Sequence, residues 1–201
     1  VRGRVLPATL DHMVLWAEFE DGRYVEGESN ITEAKGKIKH IGCNPDNPKG
    51  LPQAIEDINE ADLIVIGPGS LYTSIIPNLL VPEILQTLID RNVPSIYLCN
   101  IMSQVGETDG YAVSDYVRVL DEIAGVRLFD VVLAQKHPPS ERSLQHYASS
   151  GSHFTVLDRD SLAAVGCPVL IANIMQEKPN GTVCHDSEKL AGVLMRWYNR
   201  Q

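Results

Sequence analysis

The sequence lacks long apolar runs and has fewer basic than acidic residues. The longest unbroken apolar stretch, Met13 to Ala17, has five residues, whereas a membrane-spanning helix needs about 20. The 201 residues include 17 Lys and Arg against 26 Asp and Glu, which gives a formal charge of −9. Because proteins that bind the phosphate backbone of nucleic acids are normally basic, we expect no membrane span and no nucleic-acid partner. A local anion site stays compatible with this charge.

Cysteine is also sparse, and its spacing excludes the usual cysteine-rich sites. The four residues, Cys43, Cys99, Cys167 and Cys184, form no C-x-x-C pair, and a disulfide-stabilised scaffold would be denser in cysteine. No signal-peptide pattern opens the chain. We therefore predict reduced thiols and a cytoplasmic protein. With 44% apolar residues, the chain can form a substantial core.

Hydrophobic periodicity predicts an α/β fold with an antiparallel hairpin region at residues 1–45 and a parallel α/β region at residues 51–201. Residues 12–41 resemble antiparallel strands joined by a turn at Asp21-Gly22. Beyond a Pro- and Asn-rich loop at 43–50, the runs "ADLIVIG", "SIYLCN" and "FDVVLAQ" alternate with helical patterns. This alternation predicts a mostly parallel sheet flanked by helices. We expect the first run to be a central strand covered on both faces.

Two predicted helices carry clear terminal signals. The segment "SDYVRVLDEIAG" predicts a helix with Ser114 as its N-cap and Gly125 just beyond its end. The segment "DSEKLAGVLMRWY" predicts a C-terminal helix.

A glycine-containing loop follows the first predicted parallel strand. In "IGPGSLYTS", Gly67 and Gly69 have no Cβ, so backbone N–H groups can approach an anion, and Ser70, Thr73 and Ser74 add hydroxyl donors. Ligands of open parallel sheets bind beyond the carboxyl ends of the strands. The loop is therefore either a phosphate-binding loop or a tight turn capped by serine and threonine.

A second polar loop, "NIMSQVGETDG", follows the next predicted strand. The amides of Asn100 and Gln104 both donate and accept hydrogen bonds, as a nucleobase or sugar edge requires. Glu107 has a carboxylate that accepts from a sugar hydroxyl. The alternative is a solvated turn.

Charged pairs near the N-terminus are open to two interpretations. Glu26 and Glu28 in "VEGESNI" would face one side of a strand, either as metal or acid–base groups or as a solvated face. Three lysines, Lys35, Lys37 and Lys39, also alternate and would share one face of a strand. They would either contact an anion or form the solvated face of an edge strand.

Three common chemistries have no support in the sequence. Ser70 is not followed two residues later by the glycine of a nucleophile elbow. The six histidines show no H-x-x-x-H or H-x-H spacing, which leaves a zinc site unsupported. Cys99 is explained as a small buried hydrophobe. No catalytic residue can be assigned.

The segments "GRVLPAT", "VEGESNI", "ADLIVIGPGSLYTSIIPNLLV" and "YLCNIMSQVGETDGYAVSDYV" closely resemble the bacterial gluconeogenesis-factor family. That family is related to the 2-phospho-L-lactate transferases of cofactor F420 synthesis. The resemblance implies a Rossmann-like fold in a cytoplasmic bacterial protein linked to gluconeogenic growth, cell shape and cell-wall precursor supply. It also implies a nucleotide-sugar ligand, with UDP-N-acetylglucosamine expected.

Carried over by position, the resemblance implies ligand-binding residues in two loops and one further segment. They are Gly67, Pro68, Gly69, Ser70, Thr73 and Ser74; Asn100, Gln104, Gly106, Glu107 and Thr108; and Gly27, Glu28 and Ser29.

The chain departs from the family pattern in two ways. The transferases carry G-P-S-N where this chain has Gly67-Pro68-Gly69-Ser70, which weakens a transferase assignment. The family's first strand, G-G-T-G loop and Asp-Asp-Gly-Gly segment have no match, so a single, N-terminally incomplete family domain is expected. We expect such a chain to bind nucleotide-sugars weakly and to form homo-oligomers through an unpaired strand.

The leading functional hypothesis is a nucleotide-sugar-binding regulatory protein, to which the sequence assigns no certain cofactor. The alternative is a transferase of a phosphoryl-linked group, which would need a divalent metal.

Overall fold

The computed structural model describes residues 3–201 as two main sheets, a small hairpin and eight α-helices. The strands are β1 (Val14–Phe19), β2 (Tyr24–Glu26), β3 (Ile38–Asn44), β4 (Ile64–Ile66), β5 (Ser95–Leu98), β6 (Val131–Gln135), β7 (Val169–Ala172), β8 (Met175–Glu177) and β9 (Val183–His185). The helices are α1 (Glu28–Ala34), α2 (Pro52–Glu60), α3 (Ile76–Leu79), α4 (Pro82–Asp90), α5 (Val113–Ala124), α6 (Glu141–Ala148), α7 (Arg159–Ala164) and α8 (Ser187–Tyr198). A π-helical turn, Leu71–Ile75, leads directly into α3.

The antiparallel sheet has the strand order β2-β1-β3. Its first turn is the predicted one: Gly22 adopts a φ of 86°, and its N–H donates to the Phe19 carbonyl over 2.9 Å. Leu15, Ala17 and Phe19 are buried in β1, while the residues between them are only partly covered. This period-two pattern places one face of the sheet against the core.

The second sheet is parallel, with the order β4-β5-β6-β7. One face, which includes Tyr97 and Val132, joins a core shared with the antiparallel sheet and with α3, α5 and α7. The other face, which includes Leu98 and Leu133, packs against apolar residues of α8. The predicted α/β architecture is confirmed, with helices on both faces of a parallel sheet.

One expectation about this sheet, a central position for β4, is wrong. Within the described residues β4 pairs only with β5 and forms an edge. Val65 is 39% exposed, whereas Ile66 is buried. A short apolar run indicates that a strand contacts a core, but it does not report how many neighbours the strand has.

Local expectations near the N-terminus also need correction. Glu26 ends β2, but Gly27 adopts a φ of 93° and Glu28 starts α1, so the two carboxylates do not share a strand face. Lys35 ends α1 with a φ of 46°, so it does not alternate with the other lysines on one strand. Lys37 and Lys39 instead pair with Glu20 and Glu18 at 2.7 and 3.1 Å, as a solvated face would.

The helix α5 begins two residues earlier than expected, with Ala112 rather than Ser114 as its N-cap. Ser114 lies in the first turn, where its hydroxyl donates to Asp158 over 2.5 Å. The carboxylate of Asp115 accepts from the Ala112 N–H over 2.8 Å and replaces the expected cap. Gly125 ends the helix in the left-handed conformation, as predicted, with a φ of 71°.

None of the helices described for residues 3–201 combines the length and hydropathy needed to cross a bilayer.

All four cysteines lie in the described residues and are free. Cys43, Cys99 and Cys167 are buried, and burial raises the pKa of each of these thiols.

Because thiolate is the reactive form of cysteine, we expect only Cys184 to react quickly with a thiol reagent in the native protein. All four cysteines should react in denaturant without reductant. The Cys184→Ser variant should lose the fast phase. A denatured titre of two or none would contradict free thiols.

Candidate functional site

The two loops singled out in the sequence meet at one edge of the parallel sheet. Gly67 follows β4 and Asn100 lies just beyond β5, and these strands pair in parallel with Ile66 opposite Tyr97. A Cβ added to Gly67 would lie 3.1 Å from the Leu98 carbonyl oxygen. The first loop therefore rests directly on the end of β5, at the position where open α/β sheets bind ligands.

The glycine loop leads directly into the π-helical turn. Gly67 has a φ of +83°, which other residues rarely adopt. Ser70 is the N-cap of the π-helical turn, and its carbonyl accepts from the Ser74 and Ile75 N–H groups at 3.0 and 2.9 Å. The first N–H groups of a helical segment have no partner within it. The Tyr72 N–H donates to the Glu107 carboxylate, and the other first N–H groups are suited to an anion, with the exposed hydroxyl of Ser74 nearby.

This loop forms one end of a groove of about 520 Å³, a size typical of small-molecule sites. Gly67, Pro68, Gly69, Ser74 and Asn78 line that end. The rest of the groove combines apolar residues of β4, α2 and α4 with the ion pair of Arg4 and Asp57. Among the described residues that line the groove, Arg4 is the only cation.

Glu107 connects three segments of the site from the interior. Its side chain is 2% exposed. One carboxylate oxygen, Oε1, accepts from Thr32 of α1 at 2.8 Å, from Thr73 of the π-helical turn at 3.0 Å and from the Gln104 amide at 2.9 Å. Glu107 therefore ties α1, the segment after the glycine loop and its own loop together, and it does so from the protein side of the site.

Burial raises the pKa of the Glu107 carboxyl, while hydrogen bonds from Thr32 and Thr73 act in the opposite direction. The negative charge of Glu28 adds to the upward shift. The second carboxylate oxygen, Oε2, is shielded from solvent and has no partner among the described residues.

Other residues of the second loop also have structural contacts. Thr108 is 1% exposed, and its hydroxyl oxygen accepts from the Gln104 N–H at 2.8 Å and from the Tyr116 hydroxyl at 3.0 Å. Gly106 has a φ of +87°, and a Cβ there would lie 2.5 Å from the Thr32 carbonyl. Gly106 thus permits the close approach of α1.

The third predicted segment lies at the start of α1. The Gly27 N–H donates to the Leu15 carbonyl over 2.7 Å, and both Glu28 and Ser29 are exposed. Through Thr32 and Glu107, this helix is joined to the two loops. The three predicted groups are therefore neighbours in the fold.

Sequence reasoning missed one residue at this edge of the sheet, His185. It ends β9, and its ring lies against the backbone of Cys99, next to Asn100. No motif marks this histidine, because a three-residue strand far downstream carries no signal of its spatial neighbours.

The described residues contain no group of three or more His, Cys, Asp or Glu side chains arranged to hold a metal ion.

Comparison with known proteins gives relatives over nearly the whole chain. A putative gluconeogenesis factor from Nostoc sp. is 53% identical over 199 residues, which cover 98% of this chain and 44% of the relative. The gluconeogenesis factor of Bacillus subtilis is 41% identical, with coverage of 97% and 61%. The chain thus spans about half of the length of these relatives.

A crystal structure of a Bacillus halodurans protein superposes with a TM-score of 0.92 at 38% identity, covering 96% of this chain and 62% of that one. The family model described as 2-phospho-L-lactate transferase CofD matches residues 1–175. On the strength of this match and of the fold, the chain belongs to the CofD family.

Proposed function

We propose that this chain is a nucleotide-sugar-binding regulatory protein, with a ligand like UDP-N-acetylglucosamine, and that it is linked to gluconeogenic growth, cell shape and cell-wall precursor supply. The observation that carries the proposal is the glycine loop at the end of β4, which lines one end of the groove and rests on the end of β5. The names of the relatives from Nostoc and Bacillus subtilis support the link to gluconeogenesis.

The diphosphate would bind at Gly67 to Ser74. Gly69 has no Cβ, and the hydroxyls of Ser70 and Ser74 lie beside it. Hydrogen bonds to charged oxygens are stronger than those to neutral acceptors. Backbone N–H groups are well suited to this task in a chain of charge −9, because they bind an anion without the help of cationic side chains.

The base or sugar would bind at the end of β5. Asn100 is half-buried there, and its amide both donates and accepts hydrogen bonds. Glu107 and Thr108 would position this loop from inside, since their polar atoms already bind protein groups.

The second candidate function is transfer of a phosphoryl-linked group, which the description of the matching family favours. Saturable binding of UDP-N-acetylglucosamine without turnover, in the presence and absence of Mg²⁺, would support the regulator. Metal-dependent cleavage or transfer would favour the enzyme. Calorimetry paired with chromatographic analysis of the nucleotide distinguishes the two.

The glycine loop should be sensitive to small changes. Ser70→Ala should weaken UDP-N-acetylglucosamine binding by about 1.5–3 kcal/mol if the hydroxyl meets a charged oxygen, or roughly 10- to 150-fold in Kd. Gly69→Ala should also weaken binding, because its Cβ would lie 3.2 Å from the Ser74 Cβ and narrow the loop.

Matched controls exist on the helix α8. Ser187→Ala and Gly192→Ala alter the same residue types away from the groove, so both should leave Kd unchanged. Calorimetry measures all four variants. An unchanged Kd in both loop variants would exclude this loop as the phosphate site.

Asn100→Ala should reduce selectivity. A site built to hydrogen-bond a polar group rejects analogues that leave its own groups unpaired. The ratio of Kd values for guanosine and uridine diphosphate sugars should therefore move towards one. Equal loss of affinity for both ligands would contradict a role in selectivity.

Glu107 should affect stability with a characteristic pH dependence. Its pKa is raised in the folded protein, so the folded state holds the proton to higher pH than the unfolded state does. Ionisation therefore costs stability as pH rises from about 4.3, the usual glutamate value, through the folded pKa. Glu107→Gln keeps an acceptor oxygen but cannot ionise, so its melting temperature relative to the original protein should be higher at pH 8 than at pH 4.

The Glu107→Ala variant separates the acceptor role from the charge. It removes the partner of three donors, and each buried unpaired donor costs about 1–3 kcal/mol. Its melting temperature should fall at both pH values. Glu56→Gln, at an exposed position of α2, is the control. If the melting temperature of Glu107→Gln, relative to the original protein, decreases with rising pH, the assignment is refuted.

A further inference from the structure

Two shielded polar atoms at the carboxyl end of β5 have no hydrogen-bond partner among the described residues. They are Oδ1 of Asn100 and Nε2 of His185. Most buried side-chain polar atoms in proteins are paired, so each exception calls for a physical explanation. Ligand recognition is one such explanation, because a binding site holds groups whose partners arrive with the ligand.

The fold holds His185 in this position from a distant part of the chain. His185 ends β9, which pairs with β8 through Met175. The next residue, Asp186, donates its N–H to the Ile174 carbonyl over 2.8 Å and is also the N-cap of α8. The backbone on both sides of His185 is therefore fixed, and the ring hydrogen-bonds to the backbone of Cys99, the residue before Asn100.

The side chains of Asn100 and His185 are suited to hydrogen-bond a neutral polar group of a ligand. Burial lowers the pKa of His185, and the neighbouring Cys99 backbone acts in the opposite direction. A neutral imidazole has one donor and one acceptor nitrogen, and an amide offers both types of group. Neither carries the positive charge that a phosphate favours. The glycine loop provides the anion-binding groups instead, on the neighbouring strand end.

We infer that His185 is a further ligand-binding residue, whose Nε2 hydrogen-bonds, together with Asn100, to an uncharged hydroxyl or amide edge of the nucleotide-sugar. This inference rests on the proposed function, and it adds a residue from the β8–β9 hairpin to a site otherwise formed by the loops after β4 and β5.

The direct test is NMR of the imidazole nitrogens in ¹⁵N-histidine-labelled protein, titrated with UDP-N-acetylglucosamine. The Nε2 resonance of His185 should shift along a saturation curve that matches the calorimetric Kd. His146, on α6, is the control and should not shift. Assignment uses the His185→Gln and His146→Gln variants.

Affinity provides the second measurement. His185→Phe removes the hydrogen-bonding nitrogen, and Kd should rise about 5- to 100-fold, as expected for a buried polar group that loses its partner. His185→Gln keeps a polar end and should recover part of this loss, whereas His146→Phe should leave Kd unchanged.

The outcomes separate this inference from the proposed function. Ligand binding with an unmoved His185 resonance would overturn the inference and leave the nucleotide-sugar proposal intact. Absence of any binding would overturn both. If His185→Phe fails to fold, the titration of the original protein still decides the question.

Discussion

The arrangement of the candidate site depends on the buried carboxylate of Glu107. A single oxygen accepts three side-chain hydrogen bonds, from α1, from the turn after the glycine loop and from its own loop. Since burial disfavours the charged form of a carboxyl group, these donors are needed to keep a carboxylate in this place. The same donors fix the distance between the antiparallel and the parallel parts of the fold.

This constraint bears on the anion site that we propose at the glycine loop of an acidic chain. The groove is lined by one cation among the described residues, Arg4, which is already paired with Asp57. The remaining groups suited to a phosphate are backbone N–H groups and hydroxyls, which are neutral and directional. Their orientation depends on the glycine loop and the π-helical turn, and Thr73 of that turn is held by Glu107. The interior carboxylate therefore anchors the turn that follows the glycine loop.

Much of the fold follows from local patterns, while the assembly of the site follows from them only in part. The apolar runs of β4, β5 and β6 and the periodicity of α8 identify these elements correctly. The helix α1 was missed because "VEGESNI" alternates like a strand, whereas the positive φ of Gly27 ends β2 there. The edge position of β4 could not be predicted, since strand order depends on long-range pairing.

The same limit applies to individual site residues. Their clustering was predictable for Gly67 and Asn100, because parallel strands place their carboxyl ends at one edge. The interior role of Glu107 could not be predicted, because the sequence does not distinguish an exposed loop carboxylate from a buried one. His185 could not be found either, since only tertiary contacts bring β9 to the end of β5.

The distribution of unsatisfied polar atoms gives an independent reason to place function at this edge. In the described part of the chain, six shielded side-chain atoms lack partners. Five of them belong to β5, to the loop after it or to residues in contact with these: Tyr97, Asn100, Glu107, Thr155 and His185. Each such group costs roughly 1–3 kcal/mol, a large fraction of the stability of an ordinary domain. Natural proteins break such packing rules mainly where a site requires it, and two of these residues, Asn100 and Glu107, belong to the loop that follows β5 beside the glycine loop.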